Sequence, residues 1–143
     1  MITIGVDPAK GWAVVDHRGS RCEVLDAGTV KGLEQMIEVL TVWFSRYKGC
    51  GVCVKIERPA NKHVYTRPGT GPAAMKKIAV NVGENRARGE AIYYFCTGAG
   101  VDVEYVEPTR GMTKLSADQV ERITGYKGKT SEHARDAIMI AWR

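Results

Sequence analysis

Two acidic residues end apolar runs of this chain, at positions where carboxylates could do chemistry. The first run is "ITIGVD", which ends at Asp7, and the second is "VCVKIE", which ends at Glu57. An ionised carboxylate is costly to bury unless a positive group meets it. If the two strands are parallel neighbours, both acids emerge at the carboxyl edge of the sheet, where ligand sites tend to form. Two like charges placed there raise each other's pKa unless a cation lies between them.

The last helical segment, "SEHARDAIMIAWR", offers two further ligands. His133 and Asp136 are three residues apart, so they point from the same side of a helix. An apolar stripe beside them is expected to press the helix onto the sheet; it comprises Ala134, Ala137, Ile138 and Ala141. Oxygen-rich sites with few thiolates suit hard ions such as Mg²⁺ or Mn²⁺. A pair of such ions, roughly 3.5–4 Å apart, can activate water and steady the leaving oxygen in phosphodiester hydrolysis.

Each strand-terminal acid also has an ordinary interpretation. Asp7, in "DPAKG", could start an Asx turn. Glu57 could form a solvated ion pair with Lys55 or Arg58, which is the commoner situation for a single exposed acid. Both alternatives stay open for the residues taken one at a time.

The same holds for the pair on the closing helix. His133 could be a surface histidine near the helix start, and Asp136 could form an ion pair with Arg135 or Lys129. Two strand-terminal acids together with a helical H-x-x-D in one basic chain are harder to explain in this way. We therefore predict one site built from all four side chains.

The elements that must position these residues begin with three strand-like runs, "ITIGVD", "GWAVVDH" and "RCEVLDAGTV". The turn-prone "PAKG" and "HRGS" separate them, and such short connections predict an antiparallel meander. The segment "KGLEQMIEVLTVWFSRYKG" has apolar residues at helical spacing and indicates an amphipathic helix. Because "GVCVKIE" follows this crossover helix, we expect it to lie parallel to a strand of the meander.

The second half of the chain predicts helices and one more strand. The pattern is helical from Ala73 to about Cys96, with interruptions expected near Gly83 and Gly89. "VDVEYVEP" alternates as a short strand, and "SADQVERITGY" has a serine cap and a glycine stop. Ser131 or Thr130 should cap the closing helix. Together these elements describe an α/β fold with a mixed five-stranded sheet flanked by helices.

Composition places few limits beyond this. With 143 residues, 44% hydrophobic and 26% charged, the chain fits a single globular domain over residues 1–143. No apolar stretch approaches a membrane span and the start does not read as a signal peptide, so we expect a cytoplasmic protein with no membrane partner. The net charge of +5 and a pI near 9.1 favour attraction to phosphate-rich polymers.

The four cysteines are Cys22, Cys50, Cys53 and Cys96, and only "CGVC" has a spacing typical of metal or redox sites. A zinc site needs a second pair of Cys or His at matching spacing, which the sequence lacks. Cys53 lies within the apolar run "VCVKI", so we interpret it as a reduced thiol packed in a strand.

Four segments carry a resemblance to a known family. "IGVDPA", "VKIERP", "NRARGEAI" and "SEHARDAI" together resemble the RuvC-type Holliday-junction resolvases of the ribonuclease H-like nuclease superfamily, over nearly the whole chain and in the right order. The resemblance implies a ribonuclease H-like fold and a metal-dependent crossover junction endodeoxyribonuclease. It also implies that Asp7, Glu57, His133 and Asp136 are catalytic and hold Mg²⁺ or Mn²⁺, with two ions in each site.

The sequence departs from this family in two places. Ala9 stands where the family usually has the glycine of D-P-G, and the loop after Glu57 is rich in Pro and Gly where bacterial members are more helical. A compact, divergent sequence of this kind would suit a bacteriophage or mobile-element version.

The resemblance implies binding to branched DNA and paired symmetric nicking by a homodimer, because a four-way junction is nearly two-fold symmetric. The predicted helix from Ala73 to Cys96, with its apolar "AIYYFC", is the expected dimer contact. Tyr65 could stack on an unpaired base, or equally be an ordinary packed tyrosine of the loop. The basic residues expected to contact DNA phosphates are Arg58, Lys62, Arg67, Lys76, Lys77, Arg86, Arg88, Arg110 and Lys114.

Two other functions remain open at this point. One is a ribonuclease H-like nuclease acting on other branched DNA or on RNA–DNA hybrids. The other is a nucleic-acid-binding module that has lost catalysis, which the four intact acid and histidine positions argue against. The opening "IGVDPAKGWAVVD" also looks like the phosphate loop of sugar kinases, but 143 residues cannot supply the two large domains of that fold.

Overall fold

The computed structural model describes residues 1–58 and 71–143, which form a five-stranded sheet with helices on both faces. The elements, in chain order, are β1 (Ile2–Val6), β2 (Gly11–Arg18), β3 (Arg21–Thr29), α1 (Leu33–Arg46), β4 (Val52–Glu57), α2 (Pro72–Gly98), β5 (Asp102–Val106), α3 (Ala117–Thr124) and α4 (Glu132–Trp142). In these described ranges no helix combines the length and the apolar content needed to cross a membrane.

The strand order is β3-β2-β1-β4-β5. The pairs β1–β2 and β2–β3 are antiparallel, whereas β1–β4 and β4–β5 are parallel. The predicted meander and mixed sheet are therefore confirmed, and so is the prediction that the fourth strand runs parallel to a strand of the meander.

The period-2 alternation of the strands divides the core between two faces of the sheet. One face buries Ile4, Val6 and Ile56 under α1 and α2. The other face packs against α4, whose buried residues include all four members of the predicted apolar stripe. The stripe thus presses the helix onto the sheet as expected.

Two glycines allow α4 to approach the sheet closely. A Cβ atom at Gly5 would collide with the backbone carbonyl of Ala137, and one at Gly11 would collide with the carbonyl of His133. Because these strand positions lack side chains, the backbone of α4 rests almost directly on β1 and β2. This contact fixes the height of the helix above the sheet.

The predicted helix ends are mostly correct. Ser116 and Gln119 form a capping box on α3, and Gly125 ends that helix with φ 74°. Of the two candidates for the last helix, Ser131 is the cap, since its hydroxyl accepts from the backbone N–H of Ala134 at 3.1 Å.

The expected interruptions near Gly83 and Gly89 are wrong, because α2 runs unbroken from Pro72 to Gly98. Glycine lowers helix stability without preventing a helix, and the neighbouring residues are good helix formers. Gly89 is buried, where a Cβ would lie 3.7 Å from both Pro8 and Ile56. A Cβ atom there would make ordinary van der Waals contact, so α2 packs against the turn after β1 without requiring glycine at this position.

All four cysteines are free thiols, so the CGVC segment holds no disulfide. Cys53 is half-buried on β4, as the interpretation of a reduced strand thiol predicts, whereas Cys50 is exposed.

Candidate active site

The two strand-terminal acids are neighbours at the carboxyl edge of the sheet. Val6 pairs with Ile56 in the parallel β1–β4 ladder, so Asp7 and Glu57 are the next residues on the two strands and share a face. The side chain of Asp7 is 14% exposed. Its Oδ1 accepts from the backbone N–H of Ala9 at 3.0 Å, so the Asx turn considered above is present as well.

The closing helix brings His133 to Asp7. Nδ1 of His133 lies 2.7 Å from Oδ2 of Asp7, although 126 positions separate the two residues in sequence. Gly11 makes this contact possible, since any side chain there would push away the backbone of α4 at His133. The group that meets the carboxylate of Asp7 is therefore an imidazole, which carries a positive charge only when it is protonated.

Glu57 is partly buried at the end of β4. Its Oε2 is buried and has no hydrogen-bond partner within the described ranges. Burial, and then the charges of Asp7 and Asp136, raise the pKa of Glu57 from 4.5 to about 7, while Arg143 opposes the rise. A buried hydrogen-bond acceptor without a donor is energetically costly, so this oxygen is free to bind a cation or a donor from a ligand.

Asp136 faces the same cluster from α4. Burial raises the pKa of this carboxyl, and the charges of Asp7 and Glu132 add to the rise. The backbone N–H of Lys114, which donates to Oδ1 of Asp136 at 2.8 Å, and the nearby His133 oppose it. The structure thus brings Asp7, Glu57, His133 and Asp136 together.

The types of donor atom in this cluster suit a divalent ion, but the side chains are not yet arranged around one. Three carboxylates and one imidazole suit Mg²⁺ or Mn²⁺, and the unpartnered oxygen of Glu57 is an atom that a cation would satisfy. As they stand, however, no three His, Cys, Asp or Glu side chains in residues 1–58 and 71–143 are arranged to hold a metal ion. Binding of an ion would therefore require some of these side chains to reorient.

Arg143, which was not among the predicted site residues, places its guanidinium beside this cluster. Its Nε donates to the carbonyl of Met139 at 3.1 Å, and its Nη1 donates to the carbonyl of Glu107 at 3.2 Å and to the hydroxyl of Thr109. A signal was available, because Arg143 lies two helical turns after Asp136 and so on the same side of the helix. Arg143 supplies a permanent positive charge near Glu57.

Two of the predicted DNA-binding arginines are engaged within the protein. Arg58 lies over the ring of Tyr105, 5.3 Å from its centroid, and forms an ion pair with Glu107 at 3.4 Å. Arg88 donates from Nη1 to the carbonyl of Ala9 at 3.3 Å, so it holds the turn that follows Asp7.

The other predicted DNA contacts divide into two groups. Those with exposed side chains are Lys76, Lys77, Arg86, Arg110 and Lys114. Lys62, Tyr65 and Arg67 lie outside the described residues.

Comparisons with known proteins identify the fold. No protein-family model matches the chain, and no curated protein matches it significantly. Among solved structures it is similar to RuvC of Thermus thermophilus, with a TM-score of 0.61 and 19% identity over 99% of this chain and 91% of that one. It is also similar to the fowlpox virus resolvase in complex with substrate Holliday junction DNA, with a TM-score of 0.52 and 14% identity over 98% and 95% of the two chains.

This chain has the RuvC fold. The predicted ribonuclease H-like architecture is thereby confirmed, including its mixed sheet and flanking helices. The resemblance noted in four short segments also corresponds to a three-dimensional likeness that spans nearly the whole chain.

Proposed function

We propose that this chain is a divalent-metal-dependent endodeoxyribonuclease that resolves four-way DNA junctions by hydrolysing phosphodiester bonds. One observation carries the proposal: Asp7, Glu57, His133 and Asp136 meet at the carboxyl edge of β1 and β4 on a RuvC fold. The names of the similar structures agree with it, since one is RuvC and the other is a resolvase solved with its junction substrate.

The four site residues would hold two Mg²⁺ or Mn²⁺ ions. Asp7 is the bridging candidate, because it lies between Glu57 on the neighbouring strand and His133 on α4. Glu57 and Asp136 would each help to hold one ion. When bound, such a pair activates water and stabilises the leaving oxygen of a phosphodiester.

The protein residues contribute orientation and charge. Strands β1 and β4 fix the backbones of Asp7 and Glu57 in one register, and the glycine contacts hold α4 at a set height above them. His133 lies where it can orient a group next to Asp7. Since partial burial makes isolated negative charge costly here, cations and their bound phosphate are favoured over an empty site.

The DNA backbone would lie over this edge of the sheet. Each phosphate that a lysine or arginine neutralises contributes about 0.9 to the salt slope of duplex binding. Arg110 and Lys114 belong to the segment that leads from β5 to α3, and Lys114 contacts Asp136 directly through its backbone. They are therefore the candidates nearest to the scissile phosphate.

Paired nicking further requires two such sites related by a dyad, so we propose a homodimer formed through α2. This helix exposes two large apolar side chains, Tyr94 at 71% and Val80 at 49%. Sedimentation equilibrium is expected to give twice the mass of the chain. A strict monomer at working concentration would contradict paired nicking.

Substrate choice tests the proposal against its nearest alternatives. The protein is incubated with Mg²⁺ or Mn²⁺ and a mobile four-way junction, an RNA–DNA hybrid or a linear duplex of the same sequence. We expect symmetric nicks in the junction and little cleavage of the other two. Preferential cleavage of the hybrid would instead support a ribonuclease H-like enzyme of another specificity.

A further inference from the structure

Lys114 has an unusual backbone conformation beside the acidic cluster. In the described part of the chain it is the one residue other than glycine with positive φ, at 54°. A side chain with a Cβ atom is disfavoured in this left-handed region, so the conformation persists only where surrounding contacts impose it. Such outliers concentrate at functional sites, which makes the contacts of Lys114 informative.

The contacts that impose this conformation come from α4. The backbone N–H of Lys114 donates to Oδ1 of Asp136 at 2.8 Å. At the next position, the carbonyl of Leu115 accepts from Nε of Arg135 at 2.7 Å, and Nη1 of the same arginine donates to the carbonyl of Thr130 at 3.0 Å. Two consecutive residues of the segment are thus bonded to two consecutive residues of the helix.

The bond to Asp136 holds one carboxylate oxygen and so restricts rotation of the whole group. A carboxylate has two oxygens, so a donor on Oδ1 leaves Oδ2 to face other ligands. Partners of this kind orient metal ligands in many proteins, and losing one typically lowers metal affinity about 10–100-fold. The side chain of Lys114 is exposed and takes no part in this contact.

We propose that Lys114 is a positioning residue, whose left-handed backbone aims its N–H at Asp136 and holds that carboxylate towards Asp7 and Glu57. The inference rests on the proposed metal-dependent function, because the role of Lys114 is to orient Asp136 before a metal ion binds. It assigns to the backbone a role separate from any phosphate contact made by the Lys114 ammonium group.

Substitutions at this position separate the backbone from the side chain. Lys114→Gly keeps the N–H, and glycine adopts the left-handed conformation without steric cost. The Kd of this variant for Mn²⁺, measured by calorimetry, should therefore stay within about twofold of the wild type. Lys114→Val disfavours that conformation, and its Kd should rise about 10–100-fold. Lys127→Gly and Lys127→Val are matched controls at an exposed lysine outside the cluster and should leave the Kd unchanged.

Equal Mn²⁺ affinity in Lys114→Val and the wild type would overturn the proposal, as would a large loss of affinity in Lys114→Gly. A second readout is independent of metal, namely hydrogen exchange of the amide at position 114. We expect slow exchange in the wild type and in Lys114→Gly, and fast exchange in Asp136→Ala, which lacks the acceptor. Equally fast exchange in all three would overturn the proposal.

The two readouts also separate this inference from the proposed function. If the wild type binds no Mn²⁺, the metal-dependent function fails. The exchange experiment still decides whether the backbone of Lys114 holds Asp136.

Discussion

The imidazole of His133 lies against the carboxylate of Asp7, with Nδ1 2.7 Å from Oδ2. A divalent ion bound at Asp7 would lie next to this contact, so we expect binding to change the environment of the ring. Titration with Mg²⁺ should shift the ring resonances of His133 in ¹H–¹⁵N spectra. His17 is an internal control, because it follows Asp16, which pairs with Ile2 at the end of β1 opposite to Asp7.

Unmoved His133 resonances at saturating Mg²⁺ would contradict binding of the ion at Asp7. Equal shifts of His17 and His133 would point to a general change of structure.

Glu57 should give the metal-free protein a characteristic pH dependence. Burial raises its pKa from 4.5 to about 7, so the folded state binds the Glu57 proton more tightly than the unfolded chain does. The contribution of Glu57 to the free energy of unfolding is therefore greatest below about pH 4.5, falls as the pH rises to about 7, and levels off above. Glu57→Gln should raise the free energy of unfolding at about pH 8, on the order of 1 kcal/mol or more.

Urea denaturation in the presence of a chelator, from about pH 4 to about pH 8, measures this effect. Glu23→Gln, at an exposed position on β3, serves as the control and should leave the pH profile unchanged. A Glu57→Gln profile parallel to that of the wild type would show that Glu57 ionises normally.

Gly5 tests the close contact between α4 and the sheet. Because a Cβ atom there would collide with the carbonyl of Ala137, Gly5→Ala should lower the free energy of unfolding by about 1–3 kcal/mol or more. Gly83 lies within α2 with nothing within 4 Å of a Cβ, so Gly83→Ala should raise it by about 0.5–1 kcal/mol. Chemical denaturation measures both, and a loss of equal size at the two positions would contradict the packing described.

Arg110 and Arg88 should differ in how they affect DNA binding. Arg110 is exposed, so Arg110→Gln is expected to lower the salt slope of junction binding by about 0.9. The guanidinium of Arg88 is held by Ala9 and by Glu84, at 3.3 Å and 3.8 Å, so Arg88→Gln should leave the slope unchanged. Binding is measured over a range of salt concentrations without divalent metal. An equal decrease in the salt slope for both variants would show that Arg88 also contacts a phosphate.

Much of the site followed from the sequence because strand periodicity and connection rules act locally. Alternation placed Asp7 and Glu57 on one face, and the crossover helix implied parallel neighbours, which is what the register shows. Spacing on a helix likewise paired His133 with Asp136.

The conformation of Lys114 was missed because it depends on contacts between distant segments. Nothing in the local sequence around Lys114 predicts a left-handed backbone, because the conformation is imposed by Asp136 and Arg135 on α4. The continuous α2 helix was mispredicted for a similar reason. Gly83 and Gly89 suggest a break locally, whereas in the fold α2 packs along β4 and β5 and stays continuous.

The most direct test of the account is the Asp7→Asn variant, assayed with Mg²⁺ or Mn²⁺ on a synthetic four-way junction beside the wild type. The substitution keeps the size of the side chain and removes the charge that would bridge two cations. We predict that the wild type nicks the junction symmetrically, and that Asp7→Asn binds it with similar affinity but does not cut it. Cleavage by Asp7→Asn at the wild-type rate would contradict the assignment of this cluster as the active site.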